Sequence, residues 1–191
     1  MHVIPFHKKS DTNIDLYQTR YIASGTKFMC IVINVKWYEV VVKIVKVTQD
    51  DFNEWLDLTL KLWPDESREE RQISLTKILQ SPREAGFIVR SEDGSAIAFM
   101  NLSLRFDYVP GATHTPVAYV EGIYVKDEYR KQGVGKFLIE YAQKWAIENG
   151  CVELASDALL ENTASYEFHT KVGFQEVERV VTFIKKIASS E

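Results

Sequence analysis

Apolar residues are distributed unevenly along the chain, and their spacing predicts a series of strands and helices. The run IVINVKWYEVVVKIVKV (31–47) is dominated by Val and Ile, branched residues that favour extended structure over helix. It is too long for one average strand and reads as two strands, or as one strand with a leader. Its end, KIVKV (43–47), is a strand. Thr48 with Asp51 three residues later is a capping signal, and a helix follows through Leu62. Trp63-Pro64 ends that helix, because a residue before proline avoids the α region. A second helix is expected from about Ser67 to Gln80. GFIVRSE (86–92) and AIAFMNLSL (96–104) flank Asp93-Gly94, which predicts a hairpin with a two-residue turn. DYVPGATHTP (107–116) is a turn-rich loop, and PVAYVEGIYV (116–125) is strongly β in character. A helix over Gly133–Asn149 is stopped by Gly150. CVELAS (151–156) is a strand, Asn162–Lys171 a helix stopped by Gly173, and 175–187 a final β region.

The expected order is βααββ-βαβαβ, a mixed α/β arrangement without internal repeats. Residues 1–30 show no clear period. The expected division is therefore an N-terminal extension (1–42), a domain (43–187) and a short tail (188–191).

Composition narrows the function. The 191 residues are 46% hydrophobic and 26% charged, which excludes disordered, collagen-like and disulfide-scaffold classes. Cys30 and Cys151 form neither a disulfide framework nor a CxxC motif, and the four histidines are scattered. No metal site is expected. The net charge is −4, which argues against nucleic acid as a partner. Five basic and three acidic residues give positions 1–42 a net +2, leaving −6 for the remainder. No apolar run is long enough to predict a membrane span. The N-terminus lacks the apolar core of a secretory signal, so a cytoplasmic location is expected.

Candidate chemistry concentrates in EGIYVKDEYRKQGVGKFLIEYAQKWA (121–146). A strand and a short charged turn lead into Arg130-Lys131-Gln132-Gly133-Val134-Gly135, which opens a helix. Glycines allow a ligand close to the backbone, and a helix start offers unpaired N–H groups at the positive end of its dipole. This combination cradles a pyrophosphate, and Arg130 and Lys131 add positive charge. The segment is neither a Walker loop nor a GxGxxG fingerprint.

The segment resembles motif A of the GCN5-related N-acetyltransferase superfamily, [QR]-x-x-G-x-[GA] after a strand. ENTASYEFHTKVGFQEVER (161–179) resembles motif B of the same superfamily, through Asn162, Phe168, Lys171, Gly173 and Phe174. The resemblance covers about residues 43–187. LWPD (62–65), FDYVPG (106–111), PVAYVEGIYV (116–125), ASDA (155–158) and ERVVTF (178–183) are similar to the aminoglycoside 6′-N-acetyltransferases of type I. The implied fold is a mixed twisted sheet with helices on both faces, in which the family's fourth and fifth strands splay apart around the acyl group.

The resemblance also implies roles. The backbone of Ile123-Tyr124-Val125 would pair with the pantetheine arm and polarise the thioester carbonyl. N–H groups of Gln132, Gly133, Val134, Gly135 and Lys136 would hold the pyrophosphate, and Asn162 would contact the arm near the thiol. Acetyl-CoA is the implied co-substrate, with no metal. An ammonium must lose a proton before it attacks, so a carboxylate is required. Glu121 stands inside an otherwise apolar strand, where a charge demands a reason; it either faces solvent or takes that proton. Asp157 follows a strand, and either caps the next turn or acts as the base. Trp63, Asp65, Glu66, Tyr108 and Glu178, with both carboxylates, would line an aminoglycoside pocket, where a ring face suits a cationic sugar. Many family members carry Tyr where His169 stands here. His169 is the candidate general acid for the thiolate, its alternative being an ordinary helix histidine; Tyr166 is a possible substitute.

The implied reaction is direct transfer of acetyl from acetyl-CoA to the 6′-amine of aminoglycoside antibiotics, conferring resistance. The alternatives are the same chemistry on a polyamine, a protein N-terminus or a small amino-sugar, or an acyl-CoA-binding module without turnover. The Val-rich segments 31–47 and 175–187 are suited to pair across two chains of a homodimer.

Overall fold

The computed structural model of the protein describes residues 18–20, 29–35 and 38–187, with side chains from Val42 onward. Seven strands form one sheet in chain order: β1 (Gln18–Arg20), β2 (Met29–Val35), β3 (Tyr38–Lys46), β4 (Glu84–Arg90), β5 (Ala96–Arg105), β6 (Val117–Val125) and β7 (Leu154–Ser156). Neighbours are antiparallel except β6 and β7, which are parallel. Four helices accompany them: α1 (Phe52–Leu62), α2 (Arg68–Gln80), α3 (Val134–Glu148) and α4 (Thr163–Lys171).

The helices cover both faces of the sheet. Ile88 and Phe99 pack with Trp55, Leu56 and Leu75 of α1 and α2. Phe87, Val89, Met100 and Val120 pack with Phe137, Leu138 and Ala142 of α3. Burial on two sides explains why β4 and the start of β5 read as unbroken apolar runs rather than alternating ones. Trp55 is fully buried, and its indole N–H donates to Asn101 Oδ1 at 2.9 Å. That bond satisfies a polar pair in the core. Truncating Trp55 to alanine would cost about 3–5 kcal/mol.

Local signals set the element ends. Ser67 and Glu70 form a reciprocal capping box at the start of α2, and Thr48 and Asp51 do the same before α1. Among the described residues, no helix is long and apolar enough to cross a membrane.

Three expectations need correction. The β4–β5 hairpin does not turn over two residues: Ser91 and Ser95 pair around a wider loop, with Asp93 accepting from Ser91 and Ser95. The boundary at 42/43 falls within β3, so the strand shared by the proposed extension and the domain is continuous. Lys36 and Trp37, inside the Val-rich run, lie outside the described residues. Finally, no strand forms over 175–187. Phe183 and Ile184 there are 93% and 95% exposed; β-branched composition alone does not make a strand when no neighbouring strand supplies its hydrogen bonds.

Candidate active site

Two features of β6 organise the site. Leu102 pairs with Val120 but Asn101 pairs with Gly122, so Glu121 is an extra residue in a β-bulge. A bulge re-aims side chains. Here it puts Glu121 and Gly122 on the same face, toward α1, while Val120 and Ile123 face α3. Second, β7 pairs only with Ala118–Val120. Beyond that point β6 runs on to Val125 without β7 beside it, and this is the expected splay.

Glu121 is paired within the protein. Arg105 donates from Nε to Oε1 at 2.9 Å and from Nη2 to Oε2 at 2.7 Å, and the Ser103 hydroxyl donates to Oε1. The Arg105 guanidinium lies 3.2 Å from the centre of the Tyr119 ring. Burial would lower the Arg105 pKa, but bonding to Glu121 and the charges of Glu121, Tyr119 and Asp157 leave it raised. Tyr119 is almost fully buried. Burial, then the Asp157 charge and a hydrogen bond to it, push the phenol up to about 12 against a partial pull from Arg105. Asp157 itself is exposed, one residue past β7. The structure therefore brings the two expected carboxylates together around Tyr119 and Arg105, neither of which the sequence reading singled out. The visible signal was Asn101, Ser103 and Arg105 at alternate positions, ending a strand that begins apolar.

Trp63 ends α1 beside this pair. Gly122 lacks the Cβ that would collide with the Trp63 ring, and Phe99 lies tilted against it at 5.9 Å. The Arg71 guanidinium stacks on the indole at 4.0 Å and pairs with Glu66. This corrects one expectation: one face of Trp63 already holds a protein cation, so a sugar has only the remaining surface. Asp65 and Tyr108 are exposed, Tyr108 at 84%. Glu178 lies in the exposed C-terminal segment, whose Val177 packs against Gly111 in the loop carrying Tyr108.

The expected cofactor cradle begins at the end of β6. Arg130 donates from Nε to the Val125 carbonyl at 2.9 Å and pairs with Asp127, so part of its charge fastens the loop. The Gln132 amide donates to the Glu128 carbonyl. Lys131 (φ 59°) and Gly133 (φ 89°) have left-handed backbones, a turn geometry that gathers N–H groups into an anion-binding concavity. The first ladder bond of α3 runs from Phe137 N–H to the Gly133 carbonyl. The helix ladder thus leaves the N–H groups of Val134 and Gly135 unused. Gly135 also admits the Phe168 ring, which a Cβ would meet at 2.8 Å. These donors, with no carboxylate between them, suit a pyrophosphate. Ile123 and Val125 pack toward α3, and Tyr124 stacks on Phe99.

Motif B is fastened to this frame. Asn162 caps α4, its Oδ1 accepting from Ser165 N–H at 3.0 Å. His169 Nδ1 lies 2.7 Å from the Ser165 carbonyl and Nε2 3.0 Å from Ser156 Oγ, with the Phe168 and Phe174 rings beside it. Both ring nitrogens have partners in the protein, an arrangement that docks α4 on β7. Arg179 first, and Tyr166 to a lesser degree, hold the Glu176 carboxyl below its usual range. Cys151 is buried, and burial raises its thiol pKa, opposite to the shift a nucleophile needs. Among the described residues, no cluster of His, Cys, Asp and Glu could hold a metal.

Comparison with known proteins agrees with this geometry. The acetyltransferase (GNAT) family profile matches residues 49–174. The aminoglycoside N(6′)-acetyltransferase type 1 of Serratia marcescens is 42% identical over 144 residues, 75% of this chain and 99% of that protein. The Salmonella typhimurium enzyme of the same name is 38% identical over 143 residues, 75% and 98% of the two chains. Among solved structures, an aminoglycoside 6′-N-acetyltransferase from Acinetobacter baumannii matches with TM-score 0.72 and 35% identity, over 77% of this chain and 99% of its own. Another, bound to the bisubstrate analogue CoA-S-monomethyl-acetylneamine, matches with TM-score 0.72 and 38% identity, over 76% and 99%. With a family profile spanning most of its length and relatives at this identity, the chain belongs to the acetyltransferase (GNAT) family.

Proposed function

We propose that this protein is an acetyl-CoA-dependent aminoglycoside 6′-N-acetyltransferase and confers resistance to these antibiotics. The observation that carries the reading is the pair Glu121 and Asp157, set around Tyr119 where β6 and β7 separate, beside the donor-rich start of α3. The relatives' names supply the acceptor class. Bound acetyl-CoA would supply the activated acetyl thioester.

The chain's own residues do the rest. The Gln132–Lys136 backbone, with Arg130 and Lys131, holds the pyrophosphate. The free edge of Ile123-Tyr124-Val125 and Asn162 hold the arm. Asp157, exposed and adjacent to the splay, accepts the proton of the attacking ammonium, and Glu121 orients the amine. Trp63, Asp65, Glu66, Tyr108 and Glu178 form the acceptor side, whose acidity attracts a polycation. His169 supplies a proton to the departing thiolate if its contact with Ser156 opens. The catalytic domain takes in the whole of β3 and runs to 187, with β1 and β2 added to the β3 edge. Its location is cytoplasmic, where acetyl-CoA is kept.

A homodimer is part of the proposal. Val177, Val180, Val181, Phe183, Ile184 and Ile187 are all strongly exposed, and burying such side chains is worth about 1.5–3 kcal/mol each. A second copy is the partner that would cover them. Sedimentation should give twice the chain mass, and deletion of residues 179–191 should give a monomer; a monomeric full-length chain overturns this.

The decisive assay is thiol release from acetyl-CoA with kanamycin, a 6′-hydroxyl analogue, spermidine and a peptide. Release with kanamycin and none with the 6′-hydroxyl analogue is expected. Equal or better rates on spermidine or peptide move the acceptor to another amine. Silence on every amine, with acetyl-CoA still bound, leaves a binding module.

A further inference from the structure

Arg105 has no role in the expected chemistry, yet it holds Glu121 directly and stacks on Tyr119. Its guanidinium is bidentate on Glu121, stacked on Tyr119, and within the electrostatic field of Asp157. A stacked, forked guanidinium is held in orientation as well as position. Of the Glu121 oxygens, Oε1 accepts from both Arg105 and Ser103, whereas Oε2 accepts from Arg105 alone. One lone-pair direction is thereby left at Oε2 for a further donor.

We propose that Arg105 is a positioning and specificity-determining residue for the acceptor amine: it turns the Glu121 carboxylate so that Oε2 meets the amine, and its charge offsets the pull of Glu121 and Asp157 on cations. The inference rests on the reading of this site as an aminoglycoside 6′-N-acetyltransferase. Its consequence is a trade. Orientation raises turnover, while charge compensation weakens ground-state binding of polycations. Amines whose cationic groups only reach the pocket, without placing one at Oε2, gain little from the acidic surroundings. Ser103 completes the clamp from the other side of Oε1.

The two effects separate kinetically. In Arg105→Met the compensating charge and the fork both go. The kanamycin KM should fall about two- to fivefold, the usual worth of a partly exposed charge pair, while kcat falls about tenfold or more. In Arg105→Lys the charge stays and the fork goes, so KM should stay within about twofold of wild type while kcat still falls. The KM for acetyl-CoA should not change in either variant. A merely structural role lowers kcat through a smaller active fraction and leaves the kanamycin KM alone. Accordingly, an unchanged or raised kanamycin KM in Arg105→Met overturns the inference, as does full kcat in Arg105→Lys. If Arg105→Met does not fold, Arg105→Gln replaces it with the same expected directions. Wild-type enzyme silent on kanamycin sinks the proposed function, and this inference with it; a wild type that turns over kanamycin while the variants miss these directions sinks this inference alone.

Discussion

Replacing Gly122 with alanine tests how the acceptor side is built. A Cβ there would lie 2.3 Å from Cη2 and 2.8 Å from Cζ2 of Trp63, and 3.2 Å from Cδ2 of Leu62. The ring has little room to yield, because Arg71 stacks on it at 4.0 Å and Phe99 lies tilted beside it. Carbon atoms rest at about 3.5–4.0 Å, so the indole must retreat by roughly 1 Å or β6 must bend at its bulge. Overpacking of this kind costs about 1–3 kcal/mol. In a chain of this size each kcal/mol lowers Tm by roughly 2–4 °C. The displaced ring belongs to the proposed acceptor side, so the kanamycin KM should rise about threefold or more while the acetyl-CoA KM holds. Thermal unfolding and steady-state thiol release on wild type, Gly122→Ala, Trp63→Phe and the double variant would read both effects. Phenylalanine lacks the outer indole atoms that the new methyl meets. The cost of Gly122→Ala should therefore shrink by about 1 kcal/mol or more in the Trp63→Phe background. Additivity within about 0.5 kcal/mol would refute the reasoning and show that the glycine does not make room for Trp63.

Three further outcomes are expected. Asp157→Asn should lower kcat for kanamycin about a hundredfold or more, the ordinary worth of a general base, with acetyl-CoA binding intact; normal turnover would remove Asp157 from proton transfer. Gly133→Val forces a branched residue into φ 89°, at a cost of at least about 1–2 kcal/mol. It also puts a side chain at the start of α3, so acetyl-CoA Kd should rise more than about tenfold; a normal Kd by calorimetry would contradict the cradle. Tyr119 is held up to about 12 when folded, above its ordinary value of about 10. The associated stability is complete below about pH 10 and is lost as pH rises toward 12, roughly 1 kcal/mol of it by pH 11. Urea unfolding should therefore show wild type losing that amount relative to Tyr119→Phe between pH 9 and 11, and a constant difference would refute it.

Much of the fold was legible because its signals are local. Thr48 with Asp51, Pro64, Gly133 and Gly150 each act on backbone within a few residues, so the starts and ends of α1 and α3 were readable. Motif B worked for the same reason, since Asn162 caps the helix it precedes. The 175–187 region failed because strand formation needs a partner edge, which composition does not specify. Trp63 was readable as a candidate but not as a ring already stacked by Arg71, eight residues along and on the next helix.

The sequence by itself determined the order of most elements, the glycine-opened start of α3, the family resemblance and the two carboxylates as candidates, because these rest on residue type and short spacing. Only the tertiary structure decided what surrounds those carboxylates. The bulge at Glu121 arises from a register slip between β5 and β6, and it aligns Glu121 with Ser103 and Arg105, some 16–18 residues distant. Asp157 reaches Tyr119 only because the parallel pairing of β7 with β6 sets Ala155 beside it. Register and strand pairing are collective choices made by the packed sheet, and the charges that depend on them are not written in any one segment of the chain.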